Sequence, residues 1–438
     1  MVPAEAKAVV RMELTKDDHC AAFAKNLVTQ LGVTPEGLDL GSPLYAFITP
    51  NEYIGITAAV DDAGKLRQSM DQLVKKGAAT ACDDSDDLHW TWINKGWLVG
   101  WNSRSLLVLG PGVAQERDQL RQTIVGMMNG GESFSKTKNF ERLLAQDGIV
   151  QIYSRLDAMP APYNTLLRMD IPADTPLEAV QLFAGIKVEK EQEQVTMSGQ
   201  LESDNADVLA AIDEFQKNKG GIYAGKGNNK IGHTPVLDLF TTTHGKDFLA
   251  LLQGDATLRA LLMGLNQVID ADRMLGTADG MLHLEVSTLD KDWNPTFRLE
   301  ADNKTRGLLD DSDYWMESAR KQKNVTLSRL TPNKFQLTND GRQLQLGTIG
   351  HNTRVFFCTP GMDEFSSFGC FKQHSVDGSP KMLSYIDVSM KQLKTMPCMA
   401  VGSTARTFVD FVLPKVNKIS VLSYPGRTIR LIFDIQYD

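Results

Sequence analysis

Apolar and polar positions alternate along two stretches of the chain, residues 88–112 and 334–361. This period of two residues is typical of strands, so each stretch predicts an antiparallel meander that ends at a Pro-Gly pair. A two-residue turn at Asp340-Gly341 predicts the register of the second meander, because Asp-Gly favours tight hairpin turns. The pairs that this register predicts are Leu337 with Leu344 and Phe335 with Leu346, with Gln336, Thr338, Gln343 and Gln345 on the opposite face.

The first meander contains four of the six tryptophans of the chain: Trp90, Trp92, Trp97 and Trp101. A two-residue turn at Lys95-Gly96 would place all four on one face of the sheet. A three-residue turn with a glycine bulge would divide them between the two faces. If they are exposed on one face, these four side chains form an aromatic platform that stacks on sugar rings or another flat ligand.

A hydrophobic core is the alternative role of the same tryptophans, and it is the one we favour. One buried tryptophan removes about 150–250 Å² from water. This burial stabilises a fold by roughly 4–6 kcal/mol at ~25 cal/mol per Å². The helix predicted just upstream presents a matching apolar stripe that consists of Leu66, Met70, Leu73 and Val74.

Helical periodicity, with apolar positions at steps of three and four residues, separates the strands. Asp61 or Asp62 is predicted to cap the helix before the first meander, and Asp302 the helix before the second. The order strand, helix, strand, strand, helix, meander occurs twice, and Gly341 follows Gly96 by 245 positions (341 − 96). Other predicted helices span residues 15–31, 113–128, 206–215 and 404–412.

The repeated order predicts an α+β fold of two related domains that arose by internal duplication. Each domain is expected to be an antiparallel meander sheet with helices packed on one face. The predicted limits are residues 1–220 for the first domain, 221–232 for a linker rich in Gly, Asn and Lys, and 233–438 for the second domain. Two domains also suit the length of 438 residues, since one core usually organises at most about 250–300.

The composition excludes several classes of protein. A formal net charge of −8 without a basic stripe argues against a nucleic-acid partner. No apolar run approaches the ~18 residues of a membrane-spanning helix. The five cysteines show no C-x-x-C spacing, which argues against a zinc site or a disulfide framework. A bridge between Cys358 and Cys370 stays open and requires an oxidising compartment.

Motifs for catalysis or phosphate binding are missing: the sequence has no Gly-x-Ser-x-Gly, no His-Glu-x-x-His and no Gly-x-x-x-x-Gly-Lys-Ser/Thr. His283 and Glu285 lie two positions apart on a predicted strand and therefore on one face. We interpret them as a surface pair rather than an acid–base couple. The sequence therefore predicts no catalytic residue, no metal site and no cofactor, and it disfavours an enzyme.

Three motifs carry a resemblance to a known family: Val2-Pro3-Ala4, Leu38-Asp39-Leu40 and Pro43-Leu44-Tyr45-Ala46-Phe47. With the blocks around them, they resemble a domain-of-unknown-function family of envelope lipoproteins from bacteria of the gut-anaerobe type. The resemblance implies an export leader and a lipidated cysteine upstream of residue 1. It also implies a location in the periplasm or at the outer-membrane-anchored cell surface. The family has no established catalytic residues to transfer.

These observations predict a non-catalytic binding or scaffolding protein of the cell envelope. Its expected partner is an envelope protein or a glycan, and it is expected to reach a membrane only through a lipid anchor. The aromatic platform is the candidate ligand site. The alternative is a hydrolase whose site is assembled from scattered residues at the domain junction, and a buried carboxylate of raised pKa would favour it.

Overall fold

The computed structural model consists of antiparallel sheets and helices and belongs to the α+β class. It divides into two compact units. Unit 1 comprises Met1–Pro160, Leu177–Val188 and Met197–Glu202, and unit 2 comprises Ala161–Pro176, Glu189–Thr196 and Ser203–Asp438. The residues that the structure describes are 1–15, 36–85, 87–93, 96–159, 167–189, 194–224, 235–254, 256–305, 307–350, 353–362, 371–372, 380–399 and 415–435.

Ten strands form the sheet associated with unit 1. They are β1 (Ala8–Met12), β2 (Leu44–Ile48), β3 (Ile54–Ala59), β4 (Asp83–Ser85), β5 (Leu88–Ile93), β6 (Trp97–Trp101), β7 (Ser105–Gly110), β8 (Val150–Arg155), β9 (Gln181–Glu189) and β10 (Gln194–Glu202). Their order in the sheet is β4-β5-β6-β7-β3-β2-β1-β8-β9-β10. The pairs from β4 to β9 are antiparallel.

Helices cover both faces of this sheet rather than the single face predicted from the sequence. Helix α1 (Ala63–Lys75) packs on the face that carries Leu106 and Val108 of β7. Helix α2 (Arg117–Met128) packs on the opposite face, which carries Leu107 and Leu109. The prediction of one covered face was wrong because β7 is apolar at consecutive positions, and such a strand has to be buried on both sides. A third helix is α3 (Lys138–Leu144).

Unit 2 repeats the strand order of unit 1. After the short β11 (Tyr223–Ala224), its strands are β12 (Leu237–His244), β13 (Ala278–Leu289), β14 (Pro295–Asn303), β15 (Val325–Thr331), β16 (Lys334–Asn339), β17 (Arg342–Ile349), β18 (Arg354–Cys358), β19 (Phe371–Lys372), β20 (Ser384–Ser389), β21 (Val416–Tyr424) and β22 (Thr428–Ile435). The sheet order is β15-β16-β17-β18-β14-β13-β12-β20-β21-β22. If the short β11 and β19 are omitted and the strands are numbered within each unit, both sheets read 4-5-6-7-3-2-1-8-9-10.

Six helices are described in unit 2: α4 (Ala206–Asn218), α5 (Gly245–Gly254), α6 (Ala256–Asn266), α7 (Ala271–Gly276), α8 (Ser312–Arg320) and α9 (Met390–Leu393). Residues of α6, α7 and α8 pack on the apolar face of the sheet, where Phe335, Leu346 and Trp315 are almost completely buried. This layer is the main hydrophobic core of the unit.

The predicted register of the second meander is confirmed. Phe335 lies opposite Leu346, and Leu337 lies opposite Leu344. Asp340 and Gly341 have φ values of 46° and 81°, the left-handed conformations that a two-residue hairpin turn of this kind requires.

The helix cap predicted at Asp302 was wrong. Asp302 lies within β14, which continues to Asn303 because β13 and β18 pair with it on either side. The Asp302 carboxylate accepts a hydrogen bond from the Met281 backbone N–H at 2.9 Å. Helix α8 begins only after its cap residue Asp311, nine residues beyond the cap predicted at Asp302. In unit 1, by contrast, Asp62 caps α1 as predicted.

The predicted linker and two predicted helices lie largely outside the described residues. Of 221–232, Tyr223–Ala224 forms β11, and residues 225–234 are not described. The helices predicted at 15–31 and 404–412 also lie outside them, so the linker stays a prediction. Residues 203–220 group with unit 2. A buried ion pair between Lys219 and Asp170 connects them to another segment of that unit.

Candidate functional site

The first meander adopts the three-residue connection between its strands. Ile93 lies opposite Trp97, so three residues separate the paired positions of the two strands. Trp90 and Trp92 therefore project from one face, and Trp97 and Trp101 from the other. This register excludes a single platform that contains all four tryptophans.

Each of the four tryptophans contacts a hydrophobic core. Trp101 is fully buried in the cluster under α1, with Trp97 packed against it. Trp90 and Trp92 are half-buried against the cluster under α2, and the Arg117 guanidinium lies 5.0 Å from the Trp92 ring centroid. The side chains therefore contribute to the core, as we favoured. Ligand binding by Trp90, Trp92, Trp97 and Trp101 stays a prediction.

His283 and Glu285 are not a surface pair, because both are almost completely buried on β13. The ring of His283 stacks on Phe240, with centroids 4.1 Å apart, and its Nε2 lies 2.6 Å from Asp238 Oδ1. The interpretation was wrong because β13 is a central strand, whose neighbours β12 and β14 carry side chains across the same face.

The same face of unit 2 continues into a network of buried charges. Arg298 donates two hydrogen bonds to Glu300 Oε2, of 3.0 and 2.8 Å, and a third to the Met362 carbonyl. Arg354 forms an ion pair with the other oxygen of Glu300. Since buried ions are costly unless paired, the network satisfies its members rather than offering one of them to a substrate.

A cavity of about 480 Å³ lies elsewhere in unit 2, between helices α4 and α5 and beside the end of β12. Its walls are mostly apolar and include Met169, Ile171, Pro172, Phe215, Phe248 and Leu251. The volume is within the range of about 300–1,000 Å³ that is usual for small-molecule sites. The walls come from four separate segments of the chain, which are residues 168–173, 211–219, 241–244 and 247–251.

A buried ion pair fixes one wall of the cavity. Lys219 and Asp170 are each 5% exposed, and Lys219 Nζ lies 2.6 Å from Asp170 Oδ1. Lys219 also donates to the Met169 carbonyl at 2.7 Å, and the Ser384 hydroxyl donates to Asp170 Oδ2 at 2.9 Å. Such a satisfied polar network rigidifies its surroundings, so the wall is preformed.

Arg168 is the second basic residue at the cavity. Its NH2 group donates to the Ala173 carbonyl at 3.1 Å. Its Nε atom is enclosed and has no hydrogen-bond partner among the residues that the structure describes. A third basic group at the wall, His244, lies 3.0 Å from Asp279. The cavity therefore combines a mostly apolar lining surface with several polar and charged side chains.

The cavity could not be predicted from the sequence, because neither periodicity nor a local motif marks its residues. Arg168 lies at the end of a helical turn and Asp170 in the turn that follows it, and Lys219 comes directly after α4. In the sequence, Lys219 comes directly after a predicted helix, a position where a lysine is usually solvated. Its burial is visible only in the fold.

Two further kinds of site, metal centres and membrane-spanning helices, concern the described part of the chain. There, no group of three or more His, Cys, Asp or Glu side chains is arranged to hold a metal ion. Within the same ranges, no helix has the length and apolar character needed to cross a membrane. Cys358 is buried, and Cys370 lies outside the described residues, so their bridging stays open.

Comparisons with known proteins give one family and no function. A family model described as "Domain of unknown function (DUF4836)" matches residues 4–412. Among curated proteins, none matches the chain. Two solved structures that are similar to part of it are crystal forms I and IV of TP0453. Form I is 13% identical in sequence, with a TM-score of 0.30, and the aligned region covers 51% of this chain and 86% of the TP0453 chain. Form IV is 12% identical in sequence, with a TM-score of 0.29, and the aligned region covers 45% of this chain and 78% of the TP0453 chain. TM-scores this low do not establish a shared fold.

Proposed function

The chain belongs to the DUF4836 family, and we propose that it is a non-catalytic binding protein whose ligand site is the cavity between α4 and α5. The observation that carries the proposal is a preformed volume with a mostly apolar lining surface and polar and charged side chains at defined positions. This combination is typical of small-molecule sites, where apolar contact supplies affinity and the polar groups fix the orientation of the ligand.

The contacts of the histidine support binding over hydrolysis. His283 and Asp238 resemble part of a catalytic pair, but the His283 side chain is 0% exposed and cannot touch a substrate. Each aspartate with a displaced pKa in the described residues has a lowered one: Asp39, Asp62, Asp84, Asp279 and Asp290. A buried carboxyl group with a raised pKa is the feature that would have favoured the hydrolase.

Internal duplication is part of the proposal. Its support is the common strand order of the two units and the spacing of equivalent positions. Asp311 follows Asp62 by 249 positions (311 − 62), and Pro360 follows Pro111 by the same number (360 − 111). Nearly constant offsets, here 249 for these two pairs and 245 for Gly96 and Gly341, are expected when a single unit has been copied.

The cell envelope is the proposed location, as a periplasmic or outer-membrane-anchored protein, with an envelope protein or a glycan as partner. The support for this location is the resemblance of the segments around Val2-Pro3-Ala4 and Pro43–Phe47 to envelope lipoproteins. A glycan would contact the exposed parts of Trp90, Trp92 or Trp97, which the core leaves half-buried. Fractionation of the native organism tests the location.

The test of the cavity is binding of Nile red, a neutral apolar dye, followed by its fluorescence. Ala211 lines the cavity at a solvent-exposed position, and Ala211→Trp adds an indole ring to this wall. Ala210 is exposed on the same helix and does not line the cavity, so Ala210→Trp is the matched control. We expect the native chain and the control to bind the dye. The Ala211→Trp variant should lose most of its affinity for it. Equal binding by all three chains would place the dye elsewhere and refute the proposed site.

A further inference from the structure

We propose that the ligand of this cavity is an amphiphile with an apolar body and one anionic group, and that Arg168 binds the anionic group. This inference rests on the proposed function, since it assigns the chemical class of ligand for the same cavity. The basic groups that line the cavity differ in whether an acidic side chain is paired with them.

Arg168 differs from the other two basic residues of the cavity in its partners. Lys219 is paired with the buried Asp170, and His244 contacts Asp279, which also pairs with Lys304. Among the residues that the structure describes, Arg168 donates only to a neutral carbonyl oxygen, that of Ala173. Within the described ranges it has no acidic partner, and its Nε has no acceptor. A half-buried guanidinium in this situation favours a bound anion.

The position of Arg168 relative to α5 defines the end of the cavity where the anionic group binds. A Cβ atom built on Gly254, the last residue of α5, would lie 3.7 Å from NH2 and 3.8 Å from NH1 of Arg168. The helix C-terminus attracts the cation weakly through its dipole, but it offers no carboxylate or phosphate. A planar guanidinium binds such groups through two parallel hydrogen bonds.

Two acidic residues also line the cavity, and their positions determine the orientation of the ligand. Asp247 lies in the first turn of α5, seven residues before Gly254, which corresponds to about 10 Å along a helix. Glu214 is exposed to solvent on α4. An anion at Arg168 therefore avoids Asp247, and the apolar body of the ligand lies along Phe215, Phe248 and Leu251.

The test is displacement of Nile red by four compounds of equal chain length: decanoate, decyl phosphate, decanol and decylammonium, each below its critical micelle concentration. For the native chain we expect decanoate and decyl phosphate to bind roughly 10-fold to 100-fold more tightly than decanol, the effect of a hydrogen bond to a charged group. Which of the two anions binds more tightly identifies the head group. Arg168→Met should abolish this preference and leave decanol binding unchanged.

Arg259→Met is the control, because Arg259 is an exposed arginine on α6 that does not line the cavity. It removes the same charge and should keep the preference for anions. If Arg168→Met fails to fold, Arg168→Lys replaces it; it keeps the charge, loses the planar fork and should weaken the preference. Equal affinity for decanol and decanoate in the native chain, or a preference for decylammonium, would overturn the inference while the cavity stands. Failure of Nile red and all four compounds to bind would instead refute the proposed function.

Discussion

Replacing Lys219 tests how the cavity wall is held together. The Lys219→Met variant keeps most of the side-chain volume but leaves the Asp170 carboxylate buried, with the Ser384 hydroxyl as its remaining side-chain partner. In a medium of effective dielectric constant about 20, two unit charges 4 Å apart attract each other by about 4 kcal/mol. Breaking a buried pair on one side costs about 3–5 kcal/mol, because the remaining charge is uncompensated. We expect the free energy of unfolding of unit 2 to fall by this amount.

A double variant separates the value of the pair from the cost of one unpaired charge. Lys219→Met combined with Asp170→Leu removes both charges, so it should recover at least half of the loss, since apolar pairs often replace buried ion pairs without penalty. Lys65→Met is the control, because its partner Asp62 and Lys65 itself are largely exposed and such pairs contribute about 0–1 kcal/mol.

The assay is urea unfolding followed by hydrogen exchange and mass spectrometry. Exchange in residues 206–218 reports on α4 of unit 2, and exchange in residues 63–75 reports on α1 of unit 1. Lys219→Met should lower protection in α4 more than in α1. A loss below about 1 kcal/mol, or a double variant no more stable than the single one, would show that the pair does not hold this wall.

Three further predictions concern other parts of the fold. Gly126→Ala should stabilise unit 1 by about 0.5–1 kcal/mol, because Gly126 lies inside α2 with open space around it. Gly130→Ala should destabilise unit 1, because Gly130 has φ +93°. Chemical denaturation should therefore give changes of opposite sign in the free energy of unfolding of the two variants. Trp101→Ala should cost about 3–5 kcal/mol, measured in the same way, since Trp101 is fully buried. The hydrogen bond from Lys304 lowers the pKa of Asp279. The stabilisation that ionised Asp279 contributes is therefore present above about pH 4 and is lost as the pH falls through the lowered pKa. Asp279→Asn should make the loss of stability with falling pH less steep in this range.

The two meanders show what hydrophobic pattern can predict. In the second, Phe335 and Leu337 alternate with Gln336, so only one register buries the apolar face, and the prediction succeeds. In the first, Leu98 and Val99 are both fully buried because helices cover both faces. A one-residue shift then leaves apolar residues on either face, so pattern alone cannot choose the turn length.

The groups that form the candidate site are remote from one another in sequence. Asp170 and Lys219 are 49 positions apart (219 − 170), and Asp170 and Ser384 are 214 apart (384 − 170). A helix or strand pattern relates residues only a few positions apart, so neither contact has a local signal. The network around His283 is similar: its partner Asp238 lies on the neighbouring strand, 45 positions earlier.

Equivalent positions of the two sheets differ in chemistry although the strand order is the same. In unit 1, β3 and β7 place Thr57 opposite Leu107 on a face that packs against α2. In unit 2, the corresponding β14 and β18 place Glu300 opposite Phe356, and Glu300 pairs with Arg298 and Arg354. One backbone arrangement therefore supports an apolar face in one unit and a charged face in the other. Under the proposed duplication, the charges are not a requirement of the fold.

We therefore expect the charged network to lower the free energy of unfolding of unit 2. Replacing Arg298, Glu300 and Arg354 together by leucine should raise the free energy of unfolding by about 1–4 kcal/mol, as apolar replacements of buried ion networks often do. Glu300→Leu alone should instead destabilise unit 2, because it leaves Arg298 buried without its carboxylate. Urea unfolding of both variants measures the difference. A triple variant less stable than the native chain would mean that the network is needed for the fold itself. A more stable one would mean that a cost in stability is retained for a purpose other than folding, which makes this face the next place in unit 2 to search for function.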